Sequence, residues 1–212
     1  MIDMNYFNFP PRTIRETSQG LYRIDINDLM FQNREIWLTG DIDESQANNI
    51  SCQLLYLAEE APDKEITMYI NSPGGSVSAG LAIYDVMRAI PCQIRTVCFG
   101  TAASMAAVLF AAGDRREILR HSEVMIHDPL VGGISGSALS VQDRSERLMA
   151  KRKLLCSILA QHTGKELKQI YKATAKDTWF GAEEAVKYGL ADAVIDRLCG
   201  GAQIEIRKEN AS

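Results

Sequence analysis

The spacing of apolar residues along the chain switches repeatedly between the short solid runs of buried strands and the three-to-four-residue recurrence of amphipathic helices. Residues 35–39 (EIWLT) predict a strand, and Ala47, Ile50, Leu54, Leu55 and Ala58 then recur at helical spacing behind the acidic start Asp43-Glu44. Residues 66–70 (ITMYI) predict a second strand, closed by the turn Asn71-Ser72-Pro73-Gly74-Gly75. A helix from about residue 78 to 90 follows, carrying Leu81, Ile83, Val86 and Met87. A third round runs from a strand at 94–99 into a helix at 102–112 that Gly113 closes. Two more strands are predicted at 117–120 and 124–127, ahead of a glycine-rich stretch at 131–136. A long helix then covers about 138–162, with Val141, Leu148 and Leu155 seven residues apart on one stripe. Short helices continue to Gly189, and residues 193–195 read as a last strand. Strand and helix alternating over the whole length predict an α/β fold with a largely parallel sheet. Residues 1–20, with Pro10, Pro11 and little periodicity, read as a loop or an arm, and no linker or repeat marks a second domain.

Composition narrows the function classes. With 212 residues, 46% of them hydrophobic, the chain supports one substantial core. A net charge of −4 gives no electrostatic reason to bind nucleic acid, and the basic cluster Lys151-Arg152-Lys153, near Asp143 and Glu146, reads as a solvated helix face. The longest uncharged apolar stretch, residues 102–113, is about half of the roughly 20 residues a membrane span needs. The N-terminal residues carry Asp3 and no basic start with an apolar run, so no targeting segment is expected. Five cysteines, Cys52, Cys92, Cys98, Cys156 and Cys199, lack C-x-x-C spacing and read as free thiols in a reducing cytoplasm, with no metal site.

Ser104 follows a strand and stands in the first turn of an Ala-rich helix, where free N–H groups and the positive end of the helix dipole meet and small neighbours leave the hydroxyl open. The same placement suits a helix cap. The turn with Gly74 and Gly75 permits backbone geometry closed to other residues, and the Gly75 and Met105 N–H groups together would make a two-donor oxyanion hole, although such a turn is commonly only a turn. Three histidines are available as a base. His162, at the end of the long helix, suits its last carbonyls, and His121, after Arg115, Arg116 and Arg120, suits a surface turn. His127 closes an apolar strand beside Asp128-Pro129, where it reads equally as a general base or as a satisfied core histidine. Local sequence does not choose an acid among 27 candidates, and Asp177, before Trp179-Phe180, is as plausible a helix cap as a partly buried carboxylate.

Four motifs decide between these readings. YINSPGG at 69–75, GTAASMAA at 100–107, MIHDPLVGG at 125–133 and GAEEAVKYGL at 181–190 closely resemble the proteolytic subunit of the Clp protease, the ClpP family, in order and spacing from about residue 14 to 195. The resemblance implies a crotonase-like stack of ββα units with a protruding helical handle. It divides the chain into an axial arm at 1–20, a catalytic domain at 21–196 with its handle at about 128–163, and a tail at 197–212. It places Ser104, His127 and Asp177 at the catalytic triad positions and Gly75 and Met105 at the oxyanion donors. It assigns the handle strand, with Gly132, Gly133, Ile134 and Ser135, to polypeptide substrate, and Tyr69 to docking of a partner ATPase. It further implies heptameric rings stacked as a tetradecamer, and an AAA+ Clp ATPase that spends ATP on behalf of a chain binding no cofactor of its own. No G-x-x-x-x-G-K-[ST] loop occurs here, in keeping with that division.

The chain departs from the family pattern at points that matter. Asp128 stands where many members carry glutamine, a carboxylate close enough to His127 to compete for it. Ala175-Lys176 replaces an acidic and basic pair that contacts the opposite ring, so a second isoform becomes a candidate ring partner. Rival readings are a regulatory paralogue in a mixed ring and an acyl-CoA enzyme of the crotonase class; the complete serine, histidine and aspartate set favours a serine endopeptidase over both.

Overall fold

The computed structural model describes residues 12–17, 20–133 and 135–198. A seven-stranded sheet carries the fold. Its main row is parallel, in the order β3 (Glu35–Ile42), β4 (Ile66–Gly75), β5 (Ile94–Ala103), β6 (Arg115–Leu119) and β9 (Ala193–Ile195). Off this row, β7 (Glu123–Ile126) pairs in parallel with β5, and β8 (Thr178–Gly181) adds antiparallel to β7. The expected mixed α/β architecture with a largely parallel sheet is present.

Helices follow where the apolar periodicity puts them. In α2 (Glu44–Glu60) Asp43 caps the first turn by accepting from Gln46 N–H at 2.8 Å, and Ala47, Ile50, Leu54, Leu57 and Ala58 form the buried face, leaving the expected Leu55 exposed. α3 (Val77–Ala89) buries Ile83 and Met87. α4 (Met105–Ala111) is buried along its entire length and packs on β4, β5 and α3. α5 (Ala138–Thr163) behaves differently along its length. Its buried residues are Leu155, Cys156, Ile158 and Leu159, whereas Leu139 and Met149 in the first half are exposed, so the seven-residue stripe packs only at its C-terminal end. α6 (Leu167–Thr174) and α7 (Ala182–Tyr188) complete the chain's helical layer.

The first three elements, and the short strand β8 where helix was expected, were not foreseen. β1 (Arg12–Thr17) pairs antiparallel with β2 (Gly20–Asp25), where a loop was expected up to residue 20, and α1 (Ile26–Gln32) follows. Its Ile14 and Leu21 are 62% and 73% exposed, so these apolar positions imprint no inward-facing alternation on the sequence. Residues 1–11, and 199–212 of the expected tail, lie outside the described residues.

β5 branches the sheet. Residues Arg95, Thr96, Val97 and Cys98 pair with β6, whereas Thr101, Ala102 and Ala103 pair with β7. Gly100, at φ 92°, makes the switch: a Cβ there would stand 2.6 Å from Asn71 Oδ1, the atom that accepts from Thr101 N–H. Ser122, just ahead of β7, accepts from Gly100 N–H at 2.8 Å and holds the new neighbour in register.

Arg116 on β6 fastens the ends of two helices to this frame. Only 8% exposed, it donates to Asp192 through Nε at 3.0 Å and to the His162 and Gly189 carbonyls through Nη1 at 2.8 Å. These carbonyls end α5 and follow α7, where helices leave acceptors unmet. Arg116→Met is expected to lower the unfolding free energy by about 2 kcal/mol. That is less than the roughly 3–5 kcal/mol for breaking a fully buried pair, since Asp192 keeps solvent contact. Urea denaturation at fixed protein concentration checks it.

Candidate active site

Ser104 is the joint between β5 and α4. The helix begins at Met105 rather than at residue 102, because β5 runs on through Ala103 to pair with β7. Ser104 itself takes φ 56° and ψ −120°, a conformation nearly reserved for glycine and costing of order 1–3 kcal/mol. Its N–H donates to Met125 O at 2.8 Å. A capping serine would turn its hydroxyl onto the first helical N–H groups, but this one makes no side-chain cap. Its Oγ lies instead 2.8 Å from His127 Nε2. The strained turn therefore aims the hydroxyl at the imidazole, a backbone geometry that strand-turn-helix nucleophile elbows also use.

His127 follows β7 directly, with a side chain 13% exposed. β8 brings the acid. Ile126 pairs with Thr178 in the antiparallel ladder, and one step further the same register sets His127 opposite Asp177. Asp177 Oδ1 is 3.2 Å from His127 Nδ1, with the aspartate side chain 66% exposed. The Thr178 hydroxyl donates to Ala173 O at 2.7 Å, fixing the turn from α6 that carries Asp177. The three residues singled out from sequence thus come together, on β5, β7 and the approach to β8. With Nδ1–H donated to Asp177, Nε2 is left to accept the Ser104 hydroxyl, the arrangement in which an imidazole draws a proton from a nucleophile.

The other histidines lie apart from this site. The His162 ring meets Tyr84 Oη at 3.2 Å instead of capping its helix, and burial, aided by Arg88 and Arg116, pulls its pKa below the usual histidine value. His121 lines a surface hollow with Asn71, Leu119 and Asp196.

Gly74 and Gly75 run alongside Ser104. At φ 98°, a Cβ on Gly74 would stand 2.7 Å from Ser104 Cβ and 3.0 Å from Met105 N. This close approach brings the Gly74-Gly75 turn against the residue that opens α4, Met105. In the sequence Gly74 reads only as turn geometry; its close approach to Ser104 is visible only as a contact across the sheet.

Around the site, an apolar pocket beside Ser104 is lined by Val77, Met105, Val108, Ile126, Leu155 and Leu159. Asp128 turns away from His127 to Arg152 on α5, with Oδ2 accepting from Nε at 2.6 Å. Arg152 therefore does not belong to a solvated basic face: its guanidinium also lies 4.5 Å from the Tyr171 ring centroid. Gly132, Gly133 and Ser135 are exposed and irregular, and Ile134 lies outside the described residues. The strand expected at 131–138 is absent among the described residues of this single chain, because a strand needs a backbone partner that none of its neighbours supplies. Tyr69 is buried, its hydroxyl 3.3 Å from Glu35 Oε1, beneath the exposed Trp37 at 4.9 Å between ring centroids. Trp37, which the sequence did not single out, is the accessible ring of that cluster.

Cys52, Cys92, Cys98 and Cys156 are free thiols. Burial pushes Cys98 up to about 12 and raises Cys156, so neither is a thiolate near neutral pH. Among the described residues no group of three or more His, Cys, Asp or Glu is placed to hold a metal ion, and no helix is long and apolar enough to cross a membrane.

In comparison with known families, the family described as Clp protease matches residues 18–198, most of the chain.

The contact of Gly74 with Ser104 yields a test. Gly74→Ala adds a methyl group where Ser104 Cβ already lies at 2.7 Å. The variant should fold, yet Ser104 should react with a fluorophosphonate at least about tenfold more slowly, within the hundredfold that small misplacements cost. Mass-spectrometric labelling of Ser104 against time measures it.

Proposed function

The chain belongs to the Clp protease family, and from that membership we propose that it is the serine endopeptidase subunit of a self-compartmentalised, ATP-dependent protease, with Ser104 as nucleophile, His127 as general base and Asp177 orienting the histidine. The observation that carries this reading is the relay Ser104 Oγ to His127 Nε2 at 2.8 Å and His127 Nδ1 to Asp177 Oδ1 at 3.2 Å.

In the proposed cycle, Ser104 Oγ attacks the carbonyl carbon of a peptide bond while its proton passes to His127 Nε2. Asp177, accepting from Nδ1–H, stabilises the imidazolium that forms. The negative oxygen of the tetrahedral intermediate is received by the N–H groups of Gly75 and Met105, and His127 then protonates the departing amine. Water, deprotonated by the same histidine, releases the acyl group from Ser104. The exposed segment with Gly132, Gly133 and Ser135 offers its backbone to an extended polypeptide.

Two surfaces support assembly. Leu139, Val141 and Met149 on α5 are exposed apolar residues on a helix without buried neighbours in its first half, as expected of a handle that packs between subunits of stacked heptameric rings. The Trp37, Tyr69 and Phe99 rings form a cluster on the opposite region of the sheet, with Trp37 open for an AAA+ ATPase to dock. Four free thiols favour a reducing compartment such as the cytoplasm.

Ser104→Ala should abolish hydrolysis of short fluorogenic peptides without changing assembly by native mass spectrometry. Residual Ser104-independent turnover in a clean preparation would sink the assignment. Asp177→Asn should retain more activity than Ser104→Ala, its loss in kcat staying at or below roughly 10⁴-fold. Stable folded proteins should be degraded only with an AAA+ unfoldase and ATP, and gel-based assays with and without both provide the comparison.

A further inference from the structure

Two carboxylates flank His127, and the structure treats them differently. Asp177 reaches Nδ1 across the β7/β8 ladder. Asp128, next in the chain, has its N–H tied to Thr174 O at 2.7 Å and its side chain turned toward α5. There Oδ2 accepts from Arg152 Nε at 2.6 Å, in a pair whose side chains are 25% and 31% exposed for arginine and aspartate. Oδ1 is buried and has no hydrogen-bond partner among the described residues. Arg152 alone therefore answers the charge of Asp128, and it is itself held flat by the Tyr171 ring at 4.5 Å.

We propose that Arg152 is a positioning residue for His127: by holding and neutralising the Asp128 carboxylate, it leaves Asp177 as the one carboxylate to which the imidazole answers. This rests on the triad reading above. The physical argument is one of competition. Asp128 follows His127 directly in the chain, and a carboxylate released from its cation and free to turn toward a neighbouring imidazole favours the protonated ring and offers it a second acceptor. A ring drawn toward Asp128 would lose the Nδ1 bond to Asp177, and with it the alignment of Nε2 on Ser104. The groups around this cluster are Arg152 and Cys156 from α5, Tyr171 from α6, Asp177 from the approach to β8, and Ser104 from the turn into α4. Among them Arg152 is the cation in contact with Asp128.

A purely mechanical tether between α5 and β7 predicts something else, so charge removal separates the two. In the full chain, assembly is checked by native mass spectrometry and kinetics are read on a short fluorogenic peptide across pH. Arg152→Gln, which frees the Asp128 charge, should lower kcat by about tenfold with little change in KM. The acid limb of its kcat profile should move to higher pH, because the unpaired negative charge favours the protonated imidazole. Adding Asp128→Asn removes that charge, and the double variant should return to within about twofold of wild type in both readouts. Three results would overturn the proposal: an Arg152→Gln enzyme equal to wild type, a loss that Asp128→Asn does not restore, or a profile that stays in place. If Arg152→Gln alone does not assemble, the double variant is compared directly with wild type, and a deficit greater than about twofold overturns the proposal. A wild-type enzyme whose hydrolysis does not depend on Ser104 would instead remove the triad reading on which the proposal stands.

Discussion

Strand β5 serves two neighbours along one edge, and the site exists because it does. Up to Cys98 it is an ordinary member of a parallel row, bonded to β4 and β6. Beyond Gly100 its far end pairs with β7, which could not otherwise approach the start of α4. Backbone pairing is obligatory in a buried sheet, so the change of partner must be complete within a residue or two. Gly100, Asn71 and Ser122 supply the substitute bonds at that point. Once β7 is seated, His127 is delivered to Ser104, and β8, which has β7 as its partner, delivers Asp177.

The same arrangement tolerates strain. Ser104 is held in an unfavourable backbone conformation by bonds on both sides, its N–H to Met125 and its carbonyl to the Ala107 and Val108 N–H groups that open α4. Every residue of α4 is buried, so relaxing the serine would mean lifting a whole apolar helix out of the core. A cost of a few kcal/mol is thereby offset by burial elsewhere, and the hydroxyl stays aimed at the histidine.

Much of this was legible in the sequence, for identifiable reasons. The main strands and helices were visible because each buries one face or run in a common core, which imprints a period. The serine and histidine could be singled out from their places at the ends of apolar strands. Asp177 could not be chosen locally, because what selects it is the register of β8, a four-residue strand too short to leave a periodic signal. Gly74 escaped for a related reason, since its constraint is a neighbour thirty residues away. Arg152 was misread as solvated because its two neighbours in sequence, Lys151 and Lys153, are exposed, and only the direction of its own side chain, onto Tyr171 and Asp128, sets it apart. The β1/β2 hairpin was invisible since its apolar residues Ile14 and Leu21 are exposed and leave no inward-facing alternation.

α5 joins two unlike halves. Its C-terminal turns are anchored by buried leucine and isoleucine, while none of its residues before Leu155 is buried. A helix of a dozen or so residues with no tertiary support sits at the margin of helix–coil stability in water, because nucleation is costly and propagation gains little per residue. The long helix of an isolated chain is therefore a fraying end grafted onto a fixed root, its order set by the anchored turns below and by the Ser137 cap and the Asp143–Arg147 pair along it. Its amide protons would exchange with solvent along a gradient that steepens toward Ala138, and the length of helix present at any instant would depend on what lies against it.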